Sequence, residues 1–407
     1  MSMFGLKEAE VAELVRAVSP PDLDRDGIEE RFARAAWSGI AEPGDRIAGQ
    51  LIATAGAPAA LAALVARRTA AEVAVLAGTS GEVAEKEHQA GLDRWMPRLA
   101  SATALVALRQ AARFGMRLSI PGDDAWISGV DDLGESAPVA LWMRGRLDVV
   151  SALDQSIALV GARAATGYGE HIAMESSAGL VDRGFAIVSG AAYGIDGMAH
   201  RAALASHGAT VAFLAGGADR FYPSGHDALL TRIVEHGCVI AELPPGAQPS
   251  KWRFLQRNRL IAAASQATVV LEAGWRSGAL NTVNHALHLG RPVGAVPGPV
   301  TSAASAGCHR VMREQMVQLV TNADEMAELV GILRAEESAP PSTDPRVTRL
   351  LDALSERAGR TPDDLAARSG LSVADVHAAL GSLELAGGVR ERERGWIKVV
   401  PRPSRAT

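Results

Sequence analysis

Ser156-Ile-Ala-Leu-Val-Gly-Ala-Arg-Ala-Ala-Thr-Gly-Tyr-Gly169 is the stretch on which the fold turns. After Ser156 it opens with an apolar run that has no polar alternation, which predicts a strand buried on both faces. A glycine-bearing turn follows, and then a helical pattern to Asp182. Strand, glycine turn and helix in that order form the unit in which a Rossmann-like fold meets phosphate. The glycines let backbone N–H groups approach an anion, and the helix dipole adds partial positive charge. Gly161, Arg163, Thr166 and Gly167 are therefore candidate phosphate contacts. The turn is not Gly-x-Gly-x-x-Gly and no Walker sequence occurs, so NAD and ATP have little support. Taken alone, a tight turn with a solvated arginine would look the same.

The unit repeats on either side. A first strand is expected at 139–143, and further strands at 186–189, 210–214, 238–241, 267–271 and 292–296. Helices are expected to 182, at 195–206, around Leu229 and at 282–289. Short apolar strands each followed by a helix imply a parallel sheet covered on both faces, with right-handed crossovers. Ser189-Gly-Ala-Ala-Tyr-Gly-Ile-Asp-Gly-Met-Ala-His200 is a second glycine-rich turn, which would share one crevice with the first at the sheet's carboxyl edge, adding Ser189 and Gly190 to the candidates. Asp196 and His200 lie four apart on one helix face. They read either as an acid/base pair or as a contact that anchors the helix. The glycines of Ala215-Gly-Gly-Ala218 would reach the same crevice, and Tyr222-Pro223 reads as a turn. In Glu272-Ala-Gly-Trp-Arg-Ser-Gly-Ala-Leu280, Ser277 and Gly278 would cap the next helix and offer another anion seat.

Around this sheet the pattern is helical. Residues 1–110 carry apolar residues at helical spacing, with Gly56-Ala57-Pro58 breaking two helices and a long helix at 103–114 leading into the sheet domain, 111–335. A polar, proline-rich linker is expected at 336–344. Residues 345–400 then show three helical segments, one begun by Thr361-Pro362, and an alternating hairpin around Gly395, the pattern of a winged helix. The fold class expected is α/β: an extended Rossmann-like parallel sheet with an all-α N-terminal domain and a C-terminal winged helix.

The 407 residues are 48% hydrophobic, which fits an ordered α/β protein, and their net charge of −5 argues against one that coats nucleic acid indiscriminately. Polyanion binding must be local, and Lys251-Trp-Arg-Phe-Leu-Gln-Arg-Asn-Arg259 is the place for it. It puts four cations and two large aromatics into nine residues, with only Glu242 near in sequence to neutralise them. Cations track phosphates and aromatic faces stack on unpaired bases, so Lys251, Phe254, Arg257, Asn258 and Arg259 join the candidates. Cys238 and Cys308 form no disulfide or metal pattern, which favours the cytoplasm. No secretory signal or membrane span is legible, and the histidines lack partners at metal-ligand spacing, so no metal site or cofactor is expected.

These segments, in this order, resemble the DNA-processing protein A family (DprA, also called Smf) of bacterial transformation and recombination proteins. The resemblance is carried by Val160-Gly-Ala-Arg-x-x-Thr-x-Tyr-Gly169, Ser189-Gly-x-Ala-Tyr-Gly-Ile-Asp196 with His200, Tyr222-Pro223, and Glu242 with Pro244. It continues through Phe254-x-x-Arg257-Asn-Arg-Leu-Ile-Ala262, Val270-x-Glu272-Ala with Ser277-Gly, Gly290-Arg-Pro and Val296-Pro-Gly298. It implies a fold that binds single-stranded DNA without hydrolysing it, has no catalytic residues, forms a homodimer through roughly residues 290–330, and loads the recombinase RecA. It also implies that Arg163 meets phosphate, that Lys251 meets the backbone while Phe254 stacks on a base, and that Arg257, Asn258 and Arg259 stand beside them. Ala191, Leu260 and Asn281 depart from the usual family residues without touching charge or stacking. A second reading is a related Rossmann-like hydrolase that releases the base of a nucleoside monophosphate. That chemistry would use Pro-Gly-Gly-x-Gly-Thr with a downstream glutamate, and Glu272-Ala-Gly-Trp-Arg-Ser-Gly lacks the run. A third is an interaction scaffold whose winged helix recruits partners. The helix expected at 373–385 carries Asp375 and Glu384 and no Lys or Arg, which points to an accessory role in DNA binding.

Overall fold

The computed structural model describes residues 4–20, 22–315, 317–331, 345–355, 358–385, 387–392 and 394–399. The linker expected at 336–344 falls outside them. Among the described residues one large sheet contains β1 (Arg117–Ser119), β2 (Leu141–Gly145), β3 (Ser156–Gly161), β4 (Ala186–Ser189), β5 (Thr210–Leu214), β6 (Cys238–Ala241), β7 (Ala267–Glu272), β8 (Val293–Ala295) and β9 (Gln318–Leu319). Their order across the sheet is β1-β2-β6-β5-β4-β3-β7-β8-β9. From β6 to β9 every pairing is parallel. The central strands are buried at nearly every position, as continuous apolar runs must be when helices cover both faces.

The strand expected at 139–143 is β2, and it runs antiparallel to β6, with Trp142 opposite Ala241. The sheet is therefore mostly parallel, with the strand at 139–143 outside its parallel part. A fully buried apolar run looks alike in either direction, and only its pairing fixes the sense. The short edge strand β1 pairs antiparallel with β2. Neither β1 nor the two-residue β9 has enough apolar pattern to be legible, and both residues of β9 are exposed.

Among the described residues seven α-helices precede the sheet: α1 (Glu8–Ala17), α2 (Arg25–Ile40), α3 (Arg46–Ala55), α4 (Ala57–Val65), α5 (Ala70–Leu76), α6 (Glu82–Trp95) and α7 (Ser101–Arg113). Gly56 ends α3 at φ 83°, and α4 starts at once with Pro58 in its first turn, turning the chain by 111°. The helices share a core with one edge of the sheet. Trp37 meets Trp95 edge-on at 5.4 Å, and Trp142 of β2 donates its Nε1–H to Ser38 Oγ at 3.1 Å. No single helix is long and apolar enough to cross a membrane among the described residues.

The crossovers of the sheet are α8 (Gly167–Val181), α9 (Ile195–Ala205), α10 (Asp227–His236), α11 (Lys251–Ala263) and α12 (Ala279–His288), with α13 (Ala306–Glu314) and α14 (Ala323–Glu328) after β8 and β9 respectively. Residues 1–333 make one compact unit and residues 334–407 another. The second is a winged helix of α15 (Pro345–Ala353), α16 (Pro362–Ser369), α17 (Val373–Leu385) and a hairpin of β10 (Val389–Arg392) with β11 (Gly395–Lys398). Leu350, Leu365, Val376 and Leu380 fill its core. Thr361 Oγ1 accepts from Asp364 N at 3.3 Å with Pro362 opening the helix, as the sequence predicts.

Candidate nucleic-acid interface

The chain enters the parallel sheet at β3, moves outward through β4, β5 and β6, and returns to β7 on the other side of β3. Helices leave β3 and β7 toward opposite ends of the sheet, so a crevice opens at their carboxyl ends. A cleft of about 890 Å³ lies there. Its walls come from the turn after β3, from α11 and from the β7–α12 loop.

Helix α11 begins where Ser250 Oγ accepts the Arg253 N–H at 3.3 Å. The helical period then divides the basic segment. Lys251, Phe254, Arg257 and Asn258 line the cleft, while Arg253 and Arg259 do not. Arg253 donates from Nε and Nη2 to the Glu42 carboxylate at 3.0 and 2.7 Å, and Arg98 reaches the same carboxylate at 2.6 Å. Burial disfavours the charge on Glu42, but the hydrogen bonds from Arg253 and Arg98 prevail and hold its carboxyl below the ordinary value. Arg259 is 3% exposed and donates from Nη2 to Glu242 Oε1 at 2.7 Å. Two of the four cations are therefore neutralised inside the protein. One of the acids, Glu42, stands 211 residues away in sequence, beyond the reach of any local reading.

Arg257 forms the floor. It is 5% exposed, and its Nη1–H donates to Phe213 O at 2.6 Å. Burial pushes its guanidinium down to about 10, with Asp196 drawing it back up, so it stays cationic at neutral pH. Burial likewise lifts the Asp196 carboxyl above its ordinary range, opposed by Arg257. Gly190 is required beside this group, because a Cβ there would lie 1.9 Å from Arg257 Nη1. Gly194, at φ 73°, brings the start of α9 against the turn after β3, where a Cβ would lie 2.3 Å from Ala162 O.

Above the floor the Phe254 ring is half-buried. The Arg163 guanidinium lies 4.8 Å from its centroid, that of Arg257 5.9 Å, and the Tyr222 ring 5.5 Å. Asn258 Nδ2 donates to Gly278 O and Asn281 Oδ1, both at 3.3 Å, and so ties α11 to the start of α12. Ser277 Oγ accepts weakly from Ala279 N at 3.4 Å, leaving Gly278 as the N-cap without a side-chain cap. Arg163, Lys251 and Arg276 line the cleft and have no ion-pair partner among the described residues. Asp196 is the one carboxylate among the described lining residues. The cleft is thus strongly cationic on a chain of net charge −5.

Of the residues singled out from the sequence, the cleft brings together Gly161, Arg163, Lys251, Phe254, Arg257, Asn258, Ser277 and Gly278. Thr166, Gly167, Ser189, Gly190 and Arg259 stand outside its lining. The reason at α8 is specific. Glu272 of β7 accepts the Thr166 N–H at 2.8 Å and its hydroxyl at 2.6 Å, so the chain's own carboxylate fills the anion seat of this helix. Ser189 is fully buried and donates to Leu159 O at 2.6 Å. Gly216 and Gly217 do not line the cleft either, whereas Tyr222, Trp275 and Arg276 do. An exposed aromatic next to a cation in a loop at the carboxyl edge was the available signal for Trp275.

Asp196 and His200 share a helix but not a hydrogen bond. Asp196 accepts from Ala192 N at 3.4 Å. His200 Nδ1 pairs with Thr210 Oγ1 at 2.7 Å, and that hydroxyl donates onward to Ile187 O at 3.0 Å. Nδ1 must therefore carry the proton. Burial holds the imidazole neutral, its pKa lowered to about 3, and a fully buried ring has no route to a substrate. His200 ties α9 to β5, and Asp196 ties its first turn to the loop before it.

The family model of DNA recombination-mediator protein A matches residues 117–331, and that of the DprA winged helix domain matches residues 334–393. A DNA processing protein DprA of Mycobacterium tuberculosis is 48% identical over 307 residues, spanning 70% of this chain and 77% of that protein. Protein Smf of Escherichia coli is 35% identical over 272 residues, spanning 64% and 72%. The X-ray structure of DprA from Streptococcus pneumoniae superposes with a TM-score of 0.58 at 28% identity, covering 76% of this chain and 99% of that one.

Proposed function

The chain belongs to the DprA/Smf family, and from that premise we propose that it binds single-stranded DNA in the α11 cleft as a non-enzymatic recombination mediator. The observation that carries the reading is a half-buried aromatic ring, Phe254, set among Arg163, Lys251 and Arg257 at the sheet's switch point. Lys251 and Arg163 hold successive phosphates, and an unpaired base stacks at Phe254. Arg163 already lies against the ring, so a phosphate on its guanidinium brings the attached base to Phe254. The buried Arg257 supplies a fixed charge that needs no reordering on binding. Asn258 keeps the two walls in register. Arg259, Thr166, Ser189 and Gly190 serve the site by shaping it.

Loading of RecA onto the bound strand, a homodimer and a place in the cytoplasm during transformation or recombination complete the proposal. A hydrolase reading finds less support. The segment after β7 has no glutamate downstream of its glycines, and Glu272, which opens it, is 2% exposed and has both oxygens hydrogen-bonded to Thr166.

The test compares single- and double-stranded oligonucleotides over a salt series. Binding should favour the single strand and weaken linearly in log salt, with a slope of about −0.7 for each phosphate contact. Equal affinity for duplex, or a salt-independent affinity, refutes the reading. Release of free base from nucleoside monophosphates would instead establish the hydrolase.

A further inference from the structure

An aromatic ring on each of two walls of the cleft has a guanidinium set against it. On the α11 wall the Arg163 guanidinium stands 4.8 Å from the Phe254 centroid, and at the β7–α12 loop the Arg310 guanidinium stands 4.8 Å from the Trp275 ring. Trp275 and its neighbour Arg276 both line the cleft. The indole is 51% exposed. Trp37, Trp95 and Trp142, by contrast, are fully buried in the core. Here Arg310 steadies the ring while about half of the side chain stays open to water. Arg276 is exposed and has no ion-pair partner among the described residues. The start of α12 follows directly, with no side-chain cap on Gly278. An open aromatic surface beside an unpaired cation on one wall is what an unpaired nucleotide needs from a protein.

We infer that Trp275 and Arg276 form a second nucleotide subsite of the cleft, in which an unpaired base stacks on the indole and Arg276 takes the adjoining phosphate. The inference rests on the single-stranded DNA reading of the same cleft. The strand then crosses from Phe254 to Trp275 with a base held at each wall. Stacking tolerates every base, so the subsite adds affinity without adding sequence preference.

The experiment measures binding of the full-length W275A, W275F, R276A and F254A proteins to single-stranded oligonucleotides and to abasic strands of equal length. W275A should weaken binding to the normal strand about 5- to 150-fold and leave abasic binding unchanged, while W275F keeps most of the affinity. R276A should weaken both strands and flatten the salt slope by about 0.7. Wild-type affinity in W275A with a loss in F254A overturns the second subsite and leaves the first standing. Equal losses on normal and abasic strands overturn stacking. Wild-type affinity in F254A, W275A and R276A alike removes the DNA reading of the whole cleft. If W275A melts early, fluorescence reads the same contact, since DNA should quench the wild-type protein more than W275F, and equal quenching overturns the inference.

Discussion

On one face of α11, Lys251, Phe254 and Asn258 look into the cleft, whereas on the other Arg253 and Arg259 are held by Glu42 and Glu242. Both faces are basic in sequence. They differ in what the rest of the molecule sets against them. Where an acid comes within hydrogen-bonding distance, an arginine becomes a bolt between helix and body. Where none does, the cation and its neighbouring ring remain available to a polyanion. The helical N-terminal region contributes to this division, since Glu42 follows α2 and links α11 to it. The N-termini of α8 and α12 differ in the same way. Glu272 closes the first with its carboxylate, and at the second only the Ser277 hydroxyl accepts, weakly, from Ala279 N.

The largest effect expected from this contrast is on stability. Arg259→Ala leaves Glu242 buried without its partner and should cost about 3–5 kcal/mol of folding stability. A melting curve like that of the wild type would break the division between the two faces. Next comes Phe254→Ala, which should cost about 1–3 kcal/mol of single-stranded DNA affinity, with Phe254→Trp largely retaining it and stability little changed in either. Titrations and melting curves on the same samples decide this, and a large stability loss with unchanged affinity would return Phe254 to the core. Lys251→Ala and Arg163→Ala should each flatten the slope of log K against log salt by about 0.7 with the fold intact. Unchanged slopes in both would remove the phosphate roles.

Arg253→Ala should leave that slope alone and cost only about 0.2–1 kcal/mol of stability, because its pair with Glu42 is partly exposed. The same pair carries a pH signature. The Glu42 carboxyl is held below its ordinary 4.5, so its contribution is fully present above that pH and is lost as pH falls through the lower, folded-state value. Glu42→Gln should therefore flatten the loss of melting temperature below pH 4.5. The smallest effect belongs to the winged helix. Helix α17 carries no Lys or Arg, and deletion of residues 340–407 should change single-stranded DNA affinity by less than about tenfold. A larger loss would make the winged helix a DNA reader.

Much of this could be read along the chain. The buried strands β3 to β7 announce themselves as apolar runs, and α11 as a dense group of cations and rings. The Thr361-Pro362 helix start is equally plain. What could not be read falls into two kinds. Strand β1, strand β9 and the direction of β2 depend on pairing, because two or three residues carry no period and an apolar run has no sense of direction. The closed seat at α8 depends on a carboxylate 106 residues away. Asp196 and His200 had the right spacing for a pair, yet His200 found Thr210 across a neighbouring strand.

The sequence by itself determined the succession of strand, turn and helix, the position of the switch point, and the local density of charge and aromatic surface near Lys251. These follow from short-range stereochemistry and from periods of two and 3.6 residues, which any window of the chain displays. Only the tertiary structure decided which cations stay free, which helix start a carboxylate closes, and that His200 is sealed in the core. Those outcomes rest on Coulomb energy and desolvation, which depend on distance through space and on burial, and neither is set by separation along the chain.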